Sequence, residues 1–481
     1  MHGGFFTLYS NHNLTPEQRV KIFIDKEQRI QWTQQFLKET PTTNIYLVGG
    51  SIRDILLGKL PKDLDLIIAG ADQSEIEKQL QRYGKLEILE KEFGAFKFWP
   101  KNFLKDKPLD ITLPRLEQIS DHHLSGRKSL KIKPDPLLDI ENDLARRDFT
   151  INAIAYDFKN KKIIDPFFGI TDLEQGVIRS VLNPRQRFFE DATRILRGLR
   201  FAAQLNFAIE NRTWQAIKDN IYLLNNTILD ENGNYIFITP RSAIGREFLL
   251  GFFHHPTHTL NLWNESGALS SLMPEIANLN SIIEDGGETA MQKTLKILNF
   301  LHKKELLNKH ELQSPTATTL IAGLFSFFPD KDVGKKLMTR LHFFQFEKNH
   351  NLKIKINDVI KMLDLLNIFE NTDPAGMRPA LFEKKFTSET GRQLLFLIDA
   401  YYAASGKFTI GRDRAHIALR LAKQMKNNPP KLISGSDIKQ LGIQPGPIYR
   451  ILIDKVRDEQ LLGKITNKEQ ALNFIKQEIN K

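Results

Sequence analysis

In the stretch VGGSIRDILLGKLPKDLDLIIAG, Val48–Gly70, two carboxylates, Asp63 and Asp65, stand two residues apart, and the pair Gly49–Gly50 shortly precedes Arg53. Residues i and i+2 of a strand point to the same face, so an extended DLDLIIAG presents both carboxylates together. Two like charges placed this way repel, and a divalent cation relieves the repulsion. After the glycine pair, SIRDILLG carries Ile52, Ile55 and Leu56 at helical spacing, with Gly58 suited to end that helix. The free N–H groups and positive dipole end of that helix, at Ser51, suit a phosphate.

These residues need elements to hold them. NIYLVGG reads as a short apolar strand stopped by the glycine pair, KLP as a turn, and DLDLIIAG as a second strand. LEILEKEFGAFKFWP reads as a hairpin and PLDITLP as a further strand. The stretch RLEQISDHHLSGRKSLKIKPDPLLDIEND has little periodicity and reads as a mobile loop. After one short strand signal, KKIIDPFFG, the patterns are almost entirely helical, with joints expected at Pro240, at EDGGE and at KNNPPK. No fixed-period repeat or long low-complexity segment interrupts them. The expected class is α+β: a mixed head followed by a long all-α arm.

With 481 residues, the chain is long enough for several domains. Hydrophobic residues make up 41% and charged residues 26%, the balance of a soluble globular protein. A net charge of +11 and a pI near 9.4 favour a polyanionic partner such as nucleic acid. The absence of cysteine excludes disulfides, thiolate catalysis and cysteine zinc sites, which fits a reducing cytoplasm. MHGGFFTLYSNHNLTPEQ lacks the pattern of a secretory signal. TTLIAGLFSFFP is too short to span a bilayer and reads as a buried helix. The expectation is a cytoplasmic protein with no membrane role and no obligate protein partner.

An Asp-x-Asp pair alone is weak evidence, but here it heads an ordered set. Asp110 in PLDITLPR can supply a third carboxylate from a neighbouring strand, and RRDFTINAIAYD, IDPFFGITDLEQGVIRSV and FFEDATRILRGLRFAAQL follow. With LVGGSIRDILLG and DLDLIIAG, this set resembles the class II tRNA nucleotidyltransferases and their bacterial poly(A) polymerase relatives. The match is dense from about Ile45 to Phe207 and continues more weakly through TPRSAIGREFLLGFF and the C-terminal tail. The resemblance implies a polymerase-β-like nucleotidyltransferase head with a mixed sheet, then an elongated all-α neck, body and tail. The corresponding ranges are 1–40 for an N-terminal extension that matches nothing interpretable, 41–150 for the catalytic head, and 151–215 for a base-recognising neck. The body would be 216–345 and a tRNA-binding tail 346–481. By the same resemblance Asp63 and Asp65 hold divalent metal, expected to be Mg²⁺, and Asp110 completes the catalytic carboxylates. Gly50 and Arg53 cradle the triphosphate, while Arg147, with Asn152 nearby, holds triphosphate and sugar. Taken alone, RRD would more simply be a salt-bridged helix start; its place after the carboxylates reverses that preference.

The segment EDATRILRGLRFAAQL can be read by geometry. At ~100° per residue, Ala192, Ile195, Leu196, Leu199 and Ala203 gather on one face of a helix, leaving Asp191, Arg194, Arg197 and Arg200 on the other. An ordinary solvated ion pair is the simpler reading. As a base reader, the aspartate accepts one hydrogen bond and the arginine donates one. Cytosine and adenine present an amino donor beside a ring-nitrogen acceptor; uracil and guanine present the reverse order. The family resemblance assigns this pair the role of a protein template, with Arg197 and Arg200 extending the cationic surface toward the phosphates.

The loop after Arg115 has the length that the resemblance associates with addition of the final A. Its His122 and His123 lack a third ligand and read as solvent-exposed. No His-Asp dipeptide occurs, so the phosphohydrolase centre of some bacterial relatives is not expected. The expected function is template-independent addition or repair of the 3′-CCA of tRNA from CTP and ATP. Alternatives are an A-adding enzyme working with a CC-adding partner, a poly(A) polymerase, or, as a non-enzyme, an inactive RNA-binding protein, against which the intact carboxylates argue.

Overall fold

The computed structural model describes residues 14–90, 94–119, 130–284, 286–303, 315–346, 354–371, 376–405 and 428–480. They form two compact units. One runs to His254 and adds His258–Leu272; the other comprises His255–Thr257 and the chain from Met273 onward.

The first unit is built on a mixed seven-stranded sheet. Its strands are β1 (Asn44–Val48), β2 (Asp65–Ala69), β3 (Gly84–Glu90), β4 (Ala95–Pro100), β5 (Leu109–Thr112), and, after the hairpin pair β6 (Arg115–Ile119) and β7 (Leu130–Pro134), β8 (Ala155–Asp157) and β9 (Lys162–Ile164). The order across the sheet is β3-β4-β5-β2-β1-β8-β9. All pairs are antiparallel except β2 and β5, which run parallel with Asp65 opposite Asp110. Its α-helices up to His254 are α1 (Pro16–Lys26), α2 (Trp32–Glu39), α3 (Gly50–Leu56), α4 (Gln73–Tyr83), α5 (Ile140–Ala145), α6 (Gly169–Gln175), α7 (Pro184–Glu190), α8 (Thr193–Leu205), α9 (Asn211–Asn220) and α10 (Arg241–Phe252).

Side-chain alternation divides the sheet between two apolar layers. Ile45, Leu47, Leu66, Ile68, Leu109 and Ile111 belong to one buried cluster, whereas Tyr46, Val48, Ile67 and Ala69 belong to another with Ile140 and Leu144 of α5. Parity therefore sends Asp65, with Ile67, and Asp110, with Thr112, to the face of the second layer.

The N-terminal residues 16–39, read as a segment of unknown purpose, are part of the first core. A capping box between Thr15 and Gln18 starts α1. Val20, Phe23, Ile30 and Phe36 are buried in one cluster with the sheet, and Trp32 packs edge-on against Phe36 and Phe98, with ring centroids 5.6 and 4.9 Å away.

The stretch after Arg115 also differs from the expected loop. Its stems pair as an antiparallel hairpin, β6 with β7, Arg115 opposite Pro134. Its histidines, His122 and His123, lie outside the described residues. Beyond the sheet the chain is mostly helical, as expected, with two small strand pairs that the sequence reading missed. Val177–Ile178 pairs in parallel with Ala208–Ile209, and Thr227–Leu229 pairs antiparallel with Tyr235–Phe237. Pro240 caps the start of α10, as expected of a joint.

The second unit consists of helices among its described residues, including Ala290–His302, Ala317–Phe325, Ile356–Asn371 and Glu389–Ala404. Every residue of Ala317–Phe325 is buried, the outcome expected for TTLIAGLFSFFP. Asn428–Lys431 lies outside any helix, in line with the KNNPPK break. A last cluster of Ile433, Ile438, Leu452, Val456, Ile465, Ala471 and Ile475 holds the C-terminal helices together. Among the described residues no helix is long and apolar enough to cross a membrane.

Because Phe36 is fully buried against the sheet, truncating it tests whether the N-terminal helices belong to the head. Phe36→Ala is expected to destabilise the chain by ~3–5 kcal/mol. Urea unfolding of the full-length protein measures this; a loss below ~1 kcal/mol, within the range of a surface change, would show that α1 and α2 merely decorate the head.

Candidate active site

Every residue given a catalytic or nucleotide-binding role in the sequence lines one cavity of about 920 Å³ in the first unit: Gly50, Arg53, Asp63, Asp65, Asp110, Arg147, Asn152, Asp191, Arg194, Arg197 and Arg200. Eight arginines and six carboxylates line it, so the wall keeps a cationic excess although its acids are numerous.

The acidic wall starts from the parallel β2–β5 pair. Asp65 and Asp110 face each other in register. Burial pushes the Asp65 carboxyl up to about 6; Arg147 opposes this, and Asp110 and Asp63 add to it. Burial also raises Asp110, against the nearby charges of Lys97 and Lys107 and with that of Asp63. The Ser51 hydroxyl fixes Asp65 from α3: it accepts from the Asp65 backbone N–H at 2.8 Å and reaches Oδ2 at 3.3 Å.

Asp63 departs from expectation. The strand begins at Asp65, so Asp63 lies in the preceding bend and does not share a strand register with Asp65. It is about half exposed and forms an ion pair with Lys107, whose Nζ also donates to the Lys62 carbonyl at 3.1 Å. Among the described residues no group of three or more acidic or histidine side chains stands close enough to hold a metal ion alone. Asp65 and Asp110 nevertheless fit a divalent cation. Mg²⁺ usually takes one or two carboxylates, keeps several waters and completes its shell with substrate phosphates. Two adjacent carboxylates whose affinity for protons is raised chiefly by burial, with neighbouring carboxylates adding to it, are a suitable pair.

The basic wall is held mostly by α3, α8 and the turn after α5. Gly49 has φ +68°, and a Cβ there would meet Arg147 Nη1 at 2.8 Å. Glycine is therefore required both for the turn into α3 and for the approach of Arg147. Arg147 donates from Nη1 to the Asn152 carbonyl at 3.3 Å and from Nη2 to buried Asp143 at 3.2 Å. Its Nε is buried without a partner among the described residues. Arg53 donates from Nη1 to Asn152 Oδ1 at 2.9 Å and is otherwise engaged by Asp54.

The neck departs further from the single helix read in the sequence. The chain forms two helices, α7 and α8, and Asp191 sits in extended conformation at the break. Asp191 Oδ1 accepts from the Thr193 backbone N–H at 2.9 Å and from its hydroxyl at 2.6 Å. Oδ2 has no partner among the described residues. Arg194 is buried, and its Nη1 donates to Glu190 at 3.1 Å rather than to Asp191, while Nη2 donates to the Arg146 carbonyl at 3.0 Å. The expected apolar face is buried as read: Ala192, Ile195, Leu196, Leu199 and Ala203.

Sequence reasoning passed over Asp148, although RRD displays it. Burial alone would raise its carboxyl, but Arg197 and hydrogen bonds from Asn152 and the Phe149 N–H hold it far below the usual range. Arg197 Nε donates to Asp148 at 2.6 Å, and Arg200 Nε donates to Glu247 of α10 at 2.5 Å. Arg115, Arg146, Phe201 and Arg246 also line the cavity without having been singled out.

Comparison with known proteins shows what this chain resembles. Residues 45–179 match the poly(A) polymerase head domain. A CCA-adding enzyme of Lactobacillus helveticus is 28% identical over 447 residues, covering 89% of this chain and 91% of that protein. One from Streptococcus mutans is 41% identical over 179 residues, 37% of this chain and 41% of that protein. Among solved structures, the Thermotoga maritima CCA-adding enzyme complexed with tRNA superposes with a TM-score of 0.61 at 20% identity, covering 96% of this chain and 98% of that one, and so shares its fold. The head is thus matched to the poly(A) polymerase head domain, and the chain is similar to CCA-adding enzymes along nearly its whole length and shares their fold.

Proposed function

We propose that this protein adds CMP and AMP units from CTP and ATP to the 3′ end of tRNA, building or repairing the terminal CCA without a nucleic-acid template. The observation that carries the reading is the convergence, on one cavity, of paired carboxylates, a group of arginines and the Asp191–Arg194 region. Relatives named CCA-adding enzymes along nearly the whole chain, and related structures with tRNA, CTP and ATP, support it.

Asp65 and Asp110 would hold Mg²⁺, with Asp63 joining once released from Lys107. Bound there, the metal supplies Lewis-acid activation of the RNA 3′-hydroxyl and neutralises charge on the leaving pyrophosphate. The chain's own groups do the rest. Arg147 offers the unpartnered Nε, and Arg53, Arg197 and Arg200 add a cationic surface that orients the triphosphate for in-line attack. Gly50 lets the α3 backbone approach the phosphates, and Asn152 ties Arg53 and Arg147 to one position. Asp191 accepts from the exocyclic amino group of cytosine or adenine, and Arg194 donates to the adjacent ring nitrogen. The helical remainder, with residues 346–481 as its tail, contacts tRNA chiefly through phosphates, which suits the chain's net charge of +11.

The direct experiment supplies tRNA ending before CCA, after C and after CC, with CTP and ATP given separately. CTP incorporation followed by AMP addition is the expected result; ATP use on the CC-ended tRNA alone would reduce the protein to an A-adding enzyme. Asp65→Ala should lower turnover by at least ~10²-fold, the scale of losing one preorganised electrostatic group, while tRNA affinity stays within about two-fold. Near-normal turnover of that variant in Mg²⁺ would remove Asp65 from the metal site.

Base choice has a sharper test. Asp191→Asn can keep the acceptor that caps Thr193 while turning an N–H donor toward the base. It should raise UTP and GTP use relative to CTP and ATP by ~1–3 kcal/mol of lost discrimination. Steady-state kinetics with all four nucleotides measures this, and strict C/A selectivity in a folded variant would place base reading elsewhere.

A further inference from the structure

Phe201 lies on α8 among the residues lining the cavity, and cations surround its ring. The guanidinium carbon of Arg200 is 3.9 Å from the ring centroid, that of Arg53 5.2 Å and that of Arg197 5.5 Å. The ring itself is 4% exposed and is braced edge-on by Phe149, with centroids 6.0 Å apart at 84°. The three arginines come from two elements far apart in sequence, α3 and α8. Each has its own carboxylate: Asp54 for Arg53, Asp148 for Arg197 and Glu247 for Arg200. In those pairs no carboxylate bridges two of the three, whereas the ring contacts them all.

Like charges gathered this closely repel. Burial and the neighbouring Arg197 both push the Arg200 guanidinium down from its ordinary range, a sign of that crowding. Additional carboxylates could hold the arginines together, but they would cancel the charge that an anion needs. An aliphatic side chain would fill the space without attracting them. An aromatic face attracts cations through its quadrupole and leaves their net charge intact.

We propose that Phe201 is the positioning residue of the triphosphate site, its ring gathering Arg53, Arg197 and Arg200 into one cationic surface that receives the nucleotide's polyphosphate. This rests on the nucleotide-transfer reading above. It adds that the affinity of the site for CTP and ATP depends on the electronic character of one buried ring. The incoming polyphosphate relieves the repulsion that the ring tolerates. Neither the metal carboxylates nor the base-reading pair takes part, so the effect belongs to nucleotide binding rather than to the chemical step.

The test uses the full-length protein with mono-, tri- and pentafluorophenylalanine at position 201. This series nearly keeps the shape of the ring while weakening and then reversing the potential of its face. Calorimetric titration with CTP and with ATP should show Kd rising at each step, by about 2- to 30-fold for the pentafluoro ring, the range expected for cation–π contacts. KM should follow, while kcat at saturating nucleotide stays within about two-fold, as for an interaction already made in the ground state. Phe201→Leu should show the same loss of affinity. Unchanged affinity across the series, or a loss that tracks the melting temperature and lowers kcat equally, would overturn the proposal and leave Phe201 as core packing. If the unsubstituted protein bound neither CTP nor ATP, the nucleotide-transfer reading would fall first. Normal binding with a flat fluorine series would overturn the role of Phe201 alone.

Discussion

The parallel pairing of β2 with β5 sets Asp65 directly opposite Asp110, and the rest of the cavity answers to that juxtaposition. Strand parity leaves little freedom in the matter. Ile68 and Ile111 must enter one apolar layer and Ile67 the other, so both aspartates emerge on the same side at the same end of the sheet. Burial disfavours the charge on both, and nearby carboxylates add to it, which is why both hold protons more tightly than usual. The neighbouring structure compensates in part. Arg147 reaches over a glycine with no Cβ to obstruct it, and the Ser51 hydroxyl bonds Asp65 from behind. What remains in part uncompensated is the negative charge of the two carboxylates, and positive charge is what a divalent ion would supply.

Opposite the aspartates, Asp148 organises the arginines. Its carboxylate accepts from Asn152 and Arg197 and caps the Phe149 N–H, so it ties the 3₁₀ turn Thr150–Asn152 to α8. Glu247 ties α8 to α10 through Arg200, and Glu190 draws together Arg187 and Arg194. Buried pairs of this kind add little to stability compared with apolar packing of equal size. They do fix the direction of each guanidinium before any ligand arrives. Fixed dipoles and charges need no reorganisation when charge develops, and the stabilisation of a transition state depends on that property.

The legible parts of the fold were those where a local pattern and the tertiary environment agree. β1, β2, β5 and the β3–β4 hairpin carry apolar alternation that the two core layers satisfy, and the carboxylates of Asp65 and Asp110 followed from it. The placement of Asp63 was not legible, because the strand begins two residues later than the Asp-x-Asp spacing suggests and Lys107, forty-four residues on, captures the side chain. The hairpin β6–β7 was hidden by its polar connection, although Leu130 and Ile132 alternate with lysines as a strand requires. The box Thr15-x-x-Gln18 marked the start of α1 in the sequence, but no local signal says that Phe36 belongs under the sheet. Asp148 was visible as a residue and invisible as a hub, since its partners lie up to forty-nine positions away.

The break at Asp191 shows how a local contest decided the site. Helix propensity and amphipathic spacing both favour one continuous helix through EDATRILRGL, with no proline or glycine to interrupt it before Gly198. Aspartate competes by bonding the backbone two residues on, and here that bond wins, ending α7 and starting α8. The consequence is functional in the proposed reading. An aspartate inside a regular helix would be free to rotate on the surface. At the break its Oδ1 is held by Thr193, and the remaining oxygen stays on a residue that lines the cavity. Arg194 is held from the other side by Glu190 and by two backbone carbonyls. Acceptor and donor are therefore placed without help from the nucleotide, and a protein that stands in for a template must present a donor–acceptor order that the incoming base cannot rearrange.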